Sequence, residues 1–229
     1  MRILVVMAHP DDPEFAAGGT IAHWTREGHE VVYCLATRGD KGSRDPAMTP
    51  ERLAAIREAE QQQAAALLGV REVLFLDYPD GMLEPNTHLR RDIVRVIRSC
   101  RPEIVVTMDP ETLIQGHRYI NHNDHRAIGI ATLDAIFPAA GNPMYFPELL
   151  REGLEPHQVR EVYLSATEHA NHWVDITDVF DLKLAALRCH ASQIPDPAAL
   201  ERHLRERLRR EVDGKEILAE GFRRIVLEG

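Results

Sequence analysis

Short apolar runs alternate along this chain with longer stretches whose apolar positions recur at helical spacing. The runs Arg2 to Met7, Glu30 to Thr37, Val73 to Leu76, Glu103 to Thr107 and Val159 to Ser165 predict buried strands. Trp173 to Ile176 reads as a short extended piece, and Gly221 to Leu227 as a final strand. A helix is predicted from Glu14 to about Glu27, with Gly28 as its stop. Thr49 as N-cap and Pro50 at the first position open a second helix, which Gly69 ends. Further helices are expected over Leu89 to Ser99, His122 to about Ile136 and Asp178 to His190, with a charged one over Pro197 to Val212. Met108 to Asn121 is predicted to be a long loop. The Pro- and Gly-rich segment 138–157 reads as a lid or wall. No repeat, low-complexity tract or linker divides residues 1–229, so one domain is expected. Strands alternating with helices imply an α/β fold: a Rossmann-like three-layer sandwich with a mainly parallel sheet.

That fold gives two polar clusters a reason to meet. His9-Pro10-Asp11-Asp12 sits where the first strand hands over to a helix, and His122-Asn123-Asp124-His125 lies beyond the fourth strand. Taken alone, Pro-Asp-Asp is an ordinary solvated turn. In the commonest doubly wound order, however, the first and fourth strands are neighbours where the winding reverses, and ligands bind outside their carboxyl ends. Two imidazoles and a carboxylate gathered there suit a hydrolytic zinc site with one position left for water. Spacing alone leaves open which residues bind. A spare carboxylate could serve as base and a spare histidine could donate to an oxyanion. A dinucleotide site would instead want Gly-x-Gly-x-x-Gly after the first strand, which is absent. The loop Arg38 to Asp45 contains no Gly-Lys-Ser/Thr and is no phosphate loop.

Composition removes other classes. With 27 Lys and Arg against 36 Asp and Glu, the net charge is −9, which disfavours nucleic-acid binding. Cys34, Cys100 and Cys189 are scattered and odd in number, so neither a disulfide framework nor a cysteine zinc site is expected. The first apolar stretch is too short for a signal peptide and no run reaches membrane-spanning length, so a cytoplasmic protein without membrane contact is expected.

The chain resembles the LmbE/PIG-L family of zinc-dependent de-N-acetylases over nearly its full length. The likeness rests on Ala8-His9-Pro10-Asp11-Asp12 with Glu14, Gly18-Gly19-Thr20-Ile21, Arg57 to Gly69, His122 to His125, Val174-Asp175-Ile176-Thr177, Lys183 and His190-Ala191-Ser192-Gln193. It is nearest to the bacillithiol-type and diacetylchitobiose-type deacetylases, which carry an extra residue before the glutamate, as Pro13 is here. The resemblance implies Zn2+ held by His9, Asp12 and His125, with Asp11 as general base. It implies that His122 stabilises the oxyanion or acts as acid, with Asp124 behind it as orienter. Arg57 would sit at the pocket and touch substrate, and His190 would be structural. The implied reaction removes acetyl from an N-acetylglucosamine-type amino sugar or its conjugate. An amidase for a thiol-sugar S-conjugate and a non-catalytic sugar- or metal-binding protein are the alternatives. Relatives suggest a homo-oligomer, some completing the pocket from a neighbouring subunit. Asn123 stands where proline is frequent, and His117 to Ile120 and 138–157 match no family pattern. Those segments are expected to shape specificity, and His117 could enter the pocket.

Overall fold

The computed structural model describes residues 1–116 and 119–228, so His117 lies outside the described residues. The first half runs β1 (Arg2–Met7), α1 (Asp12–Arg26), β2 (Glu30–Thr37), α2 (Pro50–Leu67), β3 (Glu72–Tyr78), α3 (Thr87–Cys100) and β4 (Ile104–Met108). A two-strand hairpin follows, β5 (Ile114–Gln115) and β6 (Tyr119–Ile120), then α4 (Asn123–Asp134) and a π-helical turn over Ala135–Ala140. The rest is α5 (Pro147–Arg151), β7 (Glu161–Ser165), β8 (His172–Asp175), α6 (Phe180–Arg188), α7 (Pro197–Leu208), β9 (Arg209–Val212) and β10 (Lys215–Val226).

The strands join in the order β3-β2-β1-β4-β7-β10-β8, with β9 on β10. β3, β2, β1, β4 and β7 are mutually parallel. β10 runs antiparallel to β9, β8 and β7 in succession along its length. Ile3, Leu4 and Val5 pair with Ile104, Val105 and Val106, so the carboxyl ends of β1 and β4 lie side by side. Both strands are apolar and buried apart from Arg2 and Thr107, as strands covered on both faces must be. Helices α1, α2 and α6 pack together, and α3 packs on α4. Right-handed crossovers running in opposite directions from β1 put these two groups on opposite faces. The mainly parallel α/β sheet expected from the sequence is therefore present.

Several elements differ from the sequence reading. The long loop after β4 contains the β5–β6 hairpin, and 138–157 contains half of the π-helical turn and α5. Buried Arg98 ties down the start of that segment, donating to the carbonyls of Ala139, Ala140, Asn142 and Tyr145. The charged helix stops at Leu208 instead of continuing to Val212. Residues Arg209–Val212 pair with β10 because Asp213 (φ 52°) and Gly214 (φ 73°) form a tight left-handed turn. Accordingly the last strand begins at Lys215, before Gly221.

Helix α1, which begins at the site, is broken at Ala17 (φ −145°). The break frees backbone groups on both sides, and a buried ion pair satisfies them. Glu220 accepts from Gly19 N–H at 2.9 Å, Thr20 N–H at 2.8 Å and the Thr20 hydroxyl at 2.6 Å. Lys183 Nζ donates to the Glu14 and Phe15 carbonyls at 2.7 and 3.0 Å and to Glu220 at 2.6 Å. Replacing Lys183 by Met leaves the buried Glu220 carboxylate without its positive partner and removes the lysine donor from the Glu14 and Phe15 carbonyls. Lys183→Met is expected to lower unfolding stability by about 3–5 kcal/mol in a urea titration; a loss under ~1 kcal/mol would contradict this role.

Candidate active site

His9 lies two residues past the end of β1, and the chain turns sharply through Asp11, whose φ is +88°, into α1 at Asp12. Left-handed backbone at a non-glycine residue is costly, and aspartate is among the residues that tolerate it best. The turn is held by His9 N–H donating to Asp12 Oδ2 at 2.8 Å and Asp11 N–H donating to Gln61 Oε1 at 2.9 Å. On the other side of the crevice, His122 is the N-cap of α4 and His125 lies in its first turn. Gly129 lets α4 sit this close to β4, because a Cβ there would lie 2.4 Å from the Met108 carbonyl oxygen.

The two clusters therefore meet. His125 Nε2 lies 3.1 Å from Asp12 Oδ1, and His9 Nδ1 lies 3.3 Å from Asp12 Oδ2. The His9 ring centroid is 4.8 Å from that of His122 and 5.3 Å from that of His125. One donor atom from each of His9, Asp12 and His125 falls within 4.8 Å of the others. Tetrahedral zinc with bonds of about 2.0–2.1 Å sets its ligand atoms about 3.3 Å apart. The two separations to Asp12, 3.1 and 3.3 Å, lie close to that edge. The outer contacts fit as well. His125 Nδ1 meets Asn121 Oδ1 at 3.1 Å, while His9 Nε2 meets Asp80 at 3.0 Å and Asp124 at 3.2 Å. Each imidazole thus has its second nitrogen engaged by an oxygen, the usual support for a metal-binding histidine. The donor set suits a divalent cation.

Crowding of carboxylates shapes the electrostatics. Burial opposes a charge on His9, yet Asp12, Asp124 and Asp80 outweigh it and hold the imidazole well above its ordinary value. Burial would raise Asp12, but His125 and His9 hold it well below the usual carboxylate range. Asp11 behaves differently. Burial pushes it up to about 6, with the Arg57 guanidinium opposing and the Asp12 charge adding to the rise. Burial, and then the neighbouring His9 charge, pull His122 down.

The other residues singled out in the sequence take specific places. Arg57 is buried under the first turn, donating to Pro10 O at 2.6 Å, Gly39 O at 3.1 Å and Asp11 Oδ2 at 3.3 Å. Its guanidinium ties the motif turn to the loop after β2. Asp124 is fully buried at the start of α4. Its carboxylate faces His9, the N–H groups of Gly81 (2.7 Å) and Leu83 (3.2 Å), and Asn123 Nδ2 (2.6 Å). What touches the His122 ring is the Asp124 backbone N–H, donating to Nδ1 at 3.2 Å, because His122 caps the helix. His190 is fully buried against Glu14 at 3.2 Å. Glu14 in turn accepts from Gln61 at 3.0 Å. Asp80, Gln61 and Asn121 were not singled out in the sequence. Asp80 stands in a Pro-Asp-Gly turn like any solvated one, and no local signal marks it.

Asp12 and His125 lie in the wall of a cleft of about 970 Å³, which also touches Phe15, Tyr119, Trp173 and Arg207. That volume is in the range of small-ligand sites. Among the described residues its walls come from the start of α1, the end of β4, residues within 115–121, the loop 166–170, β8, α7 and β10, and none from the 138–157 segment.

The PIG-L family, described as GlcNAc-PI de-N-acetylase, matches residues 4–136. The chain belongs to the PIG-L family. Among PIG-L relatives, it is 38% identical over 195 residues to diacetylchitobiose deacetylase of Thermococcus kodakarensis, covering 85% of this chain and 71% of that one. It is 30% identical to a protein of Bacillus anthracis described as probable N-acetyl-alpha-D-glucosaminyl L-malate deacetylase 2, covering 84% and 81% of the two chains. The solved structure of N,N'-diacetylchitobiose deacetylase from Pyrococcus horikoshii, complexed with its inhibitor MPG, superposes with a TM-score of 0.86. The identity is 31%, over 98% of this chain and 84% of that one. These PIG-L relatives are named deacetylases, hydrolases of N-acetyl amides.

In this PIG-L member the bonds of Arg57 to two backbone carbonyls predict a loss of fold stability on its removal. Arg57→Ala is expected to cost roughly 3 kcal/mol by chemical denaturation. Unchanged unfolding with a raised KM alone would instead assign Arg57 to substrate contact.

Proposed function

We propose that this chain is a zinc-dependent deacetylase that removes the acetyl group from an N-acetylglucosamine-type amino sugar or its conjugate. The observation that carries this reading is the approach of His9 Nδ1 and His125 Nε2 to the Asp12 carboxylate, at 3.3 and 3.1 Å, beside the cleft that Asp12 and His125 line, with Asp11 at the same turn. The relatives named above act on N-acetylated glucosamine compounds, which supports the substrate class. Those three residues would hold the ion. When bound, zinc lowers the pKa of a water to about 7 and polarises the acetyl carbonyl.

The chain's own groups carry the proton. Asp11, raised to about 6, is close enough to neutrality to accept a proton from the attacking water and release it again. Water oxygen bonds to the acetyl carbon and the proton passes to Asp11. The tetrahedral centre then collapses, the C–N bond breaks, and Asp11 returns the proton to the leaving nitrogen. The products are acetate and the free amino sugar. His122, whose Nδ1 is occupied by the cap N–H, is left with Nε2 as the nitrogen available to the oxyanion. Arg57 keeps Asp11 in its strained turn through Pro10 O and the carboxylate.

Two variants test these roles. Asp11→Asn is expected to retain zinc by elemental analysis while acetate release from N-acetylglucosamine or diacetylchitobiose falls by about 10²–10⁴-fold. Full turnover in that variant would remove Asp11 from the chemistry. His125→Ala is expected to lose stoichiometric zinc; an unchanged zinc content would take His125 out of the ligand set.

A further inference from the structure

Asp80 lies in the turn after β3, outside the residues that line the cleft, and is 6% exposed. All its polar groups are nevertheless committed. Oδ1 lies 3.0 Å from His9 Nε2, and Oδ2 accepts from Lys41 N–H at 3.0 Å. Its own N–H donates to Asp40 Oδ1 at 3.1 Å, and its carbonyl accepts from Lys41 Nζ. The loop carrying Asp40 and Lys41 is fastened at Gly39 by Arg57, which also grips Pro10 and Asp11. The turn with Asp80 and the turn with His9 are therefore two ends of one clasp, closed through the loop after β2.

We propose that Asp80 is a positioning residue of the metal centre, holding His9 by its Nε2 proton so that Nδ1 presents its lone pair towards Asp12 and His125. A neutral imidazole carries one proton on either nitrogen, and the acceptor beside one nitrogen decides which. With the proton on Nδ1, His9 could not be a ligand on the Asp12 side. Asp124 also approaches Nε2, but its carboxylate is shared among two backbone N–H groups and Asn123. The Asp80 Oδ1 contact is the shorter of the two, and it comes from a separate turn. Two carboxylates, one from the turn after β3 and one from the first turn of α4, thus fix the ring in both tilt and tautomer.

This inference rests on the metal-centre reading, and the experiment separates the two. Zinc affinity is measured by competition with a chromophoric chelator for the wild-type chain, Asp80→Ala and Asp80→Asn. Histidine ring ¹H–¹⁵N correlation spectra are recorded on each zinc-loaded protein. The wild type is expected to bind one zinc per chain with the His9 proton on Nε2. Asp80→Ala is expected to weaken zinc binding by about 10–100-fold and to blur that single tautomer signature. Asp80→Asn, whose amide oxygen can still accept from Nε2, is expected to fall between. Should Asp80→Ala fail to give a folded circular dichroism spectrum, the Asn variant decides. Zinc affinities within twofold of wild type and an unaltered His9 signature would overturn the role of Asp80 alone. A wild-type chain that binds no zinc would overturn the metal centre itself, and this role with it.

Discussion

Three carboxylates, those of Asp12, Asp80 and Asp124, lie within 3.3 Å of one buried imidazole, His9. Burying like charges so close is expensive unless positive charge is held among them. In the structure the relief comes from His9 itself and from the nearby Arg57 guanidinium, with the Lys41 backbone N–H donating to Asp80. A divalent cation between His9, Asp12 and His125 would add to that relief. The crevice is therefore organised around an excess of negative charge that the fold keeps in place, and the surrounding loops supply the donors that make it tolerable.

Keeping it in place is work shared by elements far from the cleft. α1 carries Asp12 at its start, and its break at Ala17 separates that first turn from the rest of the helix. Lys183 from α6 and Glu220 from β10 satisfy the backbone groups that the break exposes. Gln61 from α2 joins the Asp11 backbone to Glu14, and Glu14 joins α1 to His190. These groups are all buried, so each hydrogen bond acts where water cannot replace it. The motif turn is consequently anchored to α2, to α6 and to the last strand at once.

Much of this arrangement could be read from the residue pattern. The apolar runs of β1 and β4 and the helices between them are long enough to identify a parallel sheet, and its strand order brings His9 and His125 together. Shorter or context-dependent features were not legible. β5 and β6 have two residues each, too few for any periodicity. Arg209-Arg210-Glu211 continues the charge pattern of α7, and only the Asp213-Gly214 turn makes it a strand. The buried place of Arg57 beneath the motif turn was not legible either, because its partners Pro10 O and Gly39 O are backbone atoms from two other segments. Asp80 and the direction of the Asp124 carboxylate share that difficulty. Their roles come from a ring nitrogen delivered by a strand distant in sequence.

A zinc-edge anomalous difference map from crystals of the zinc-loaded protein is the most direct measurement. One peak per chain, bonded at about 2.0–2.2 Å to His9 Nδ1, an Asp12 oxygen and His125 Nε2, is the predicted result. A peak held by other residues, or a cation bound to His9 through Nε2, would contradict the arrangement described.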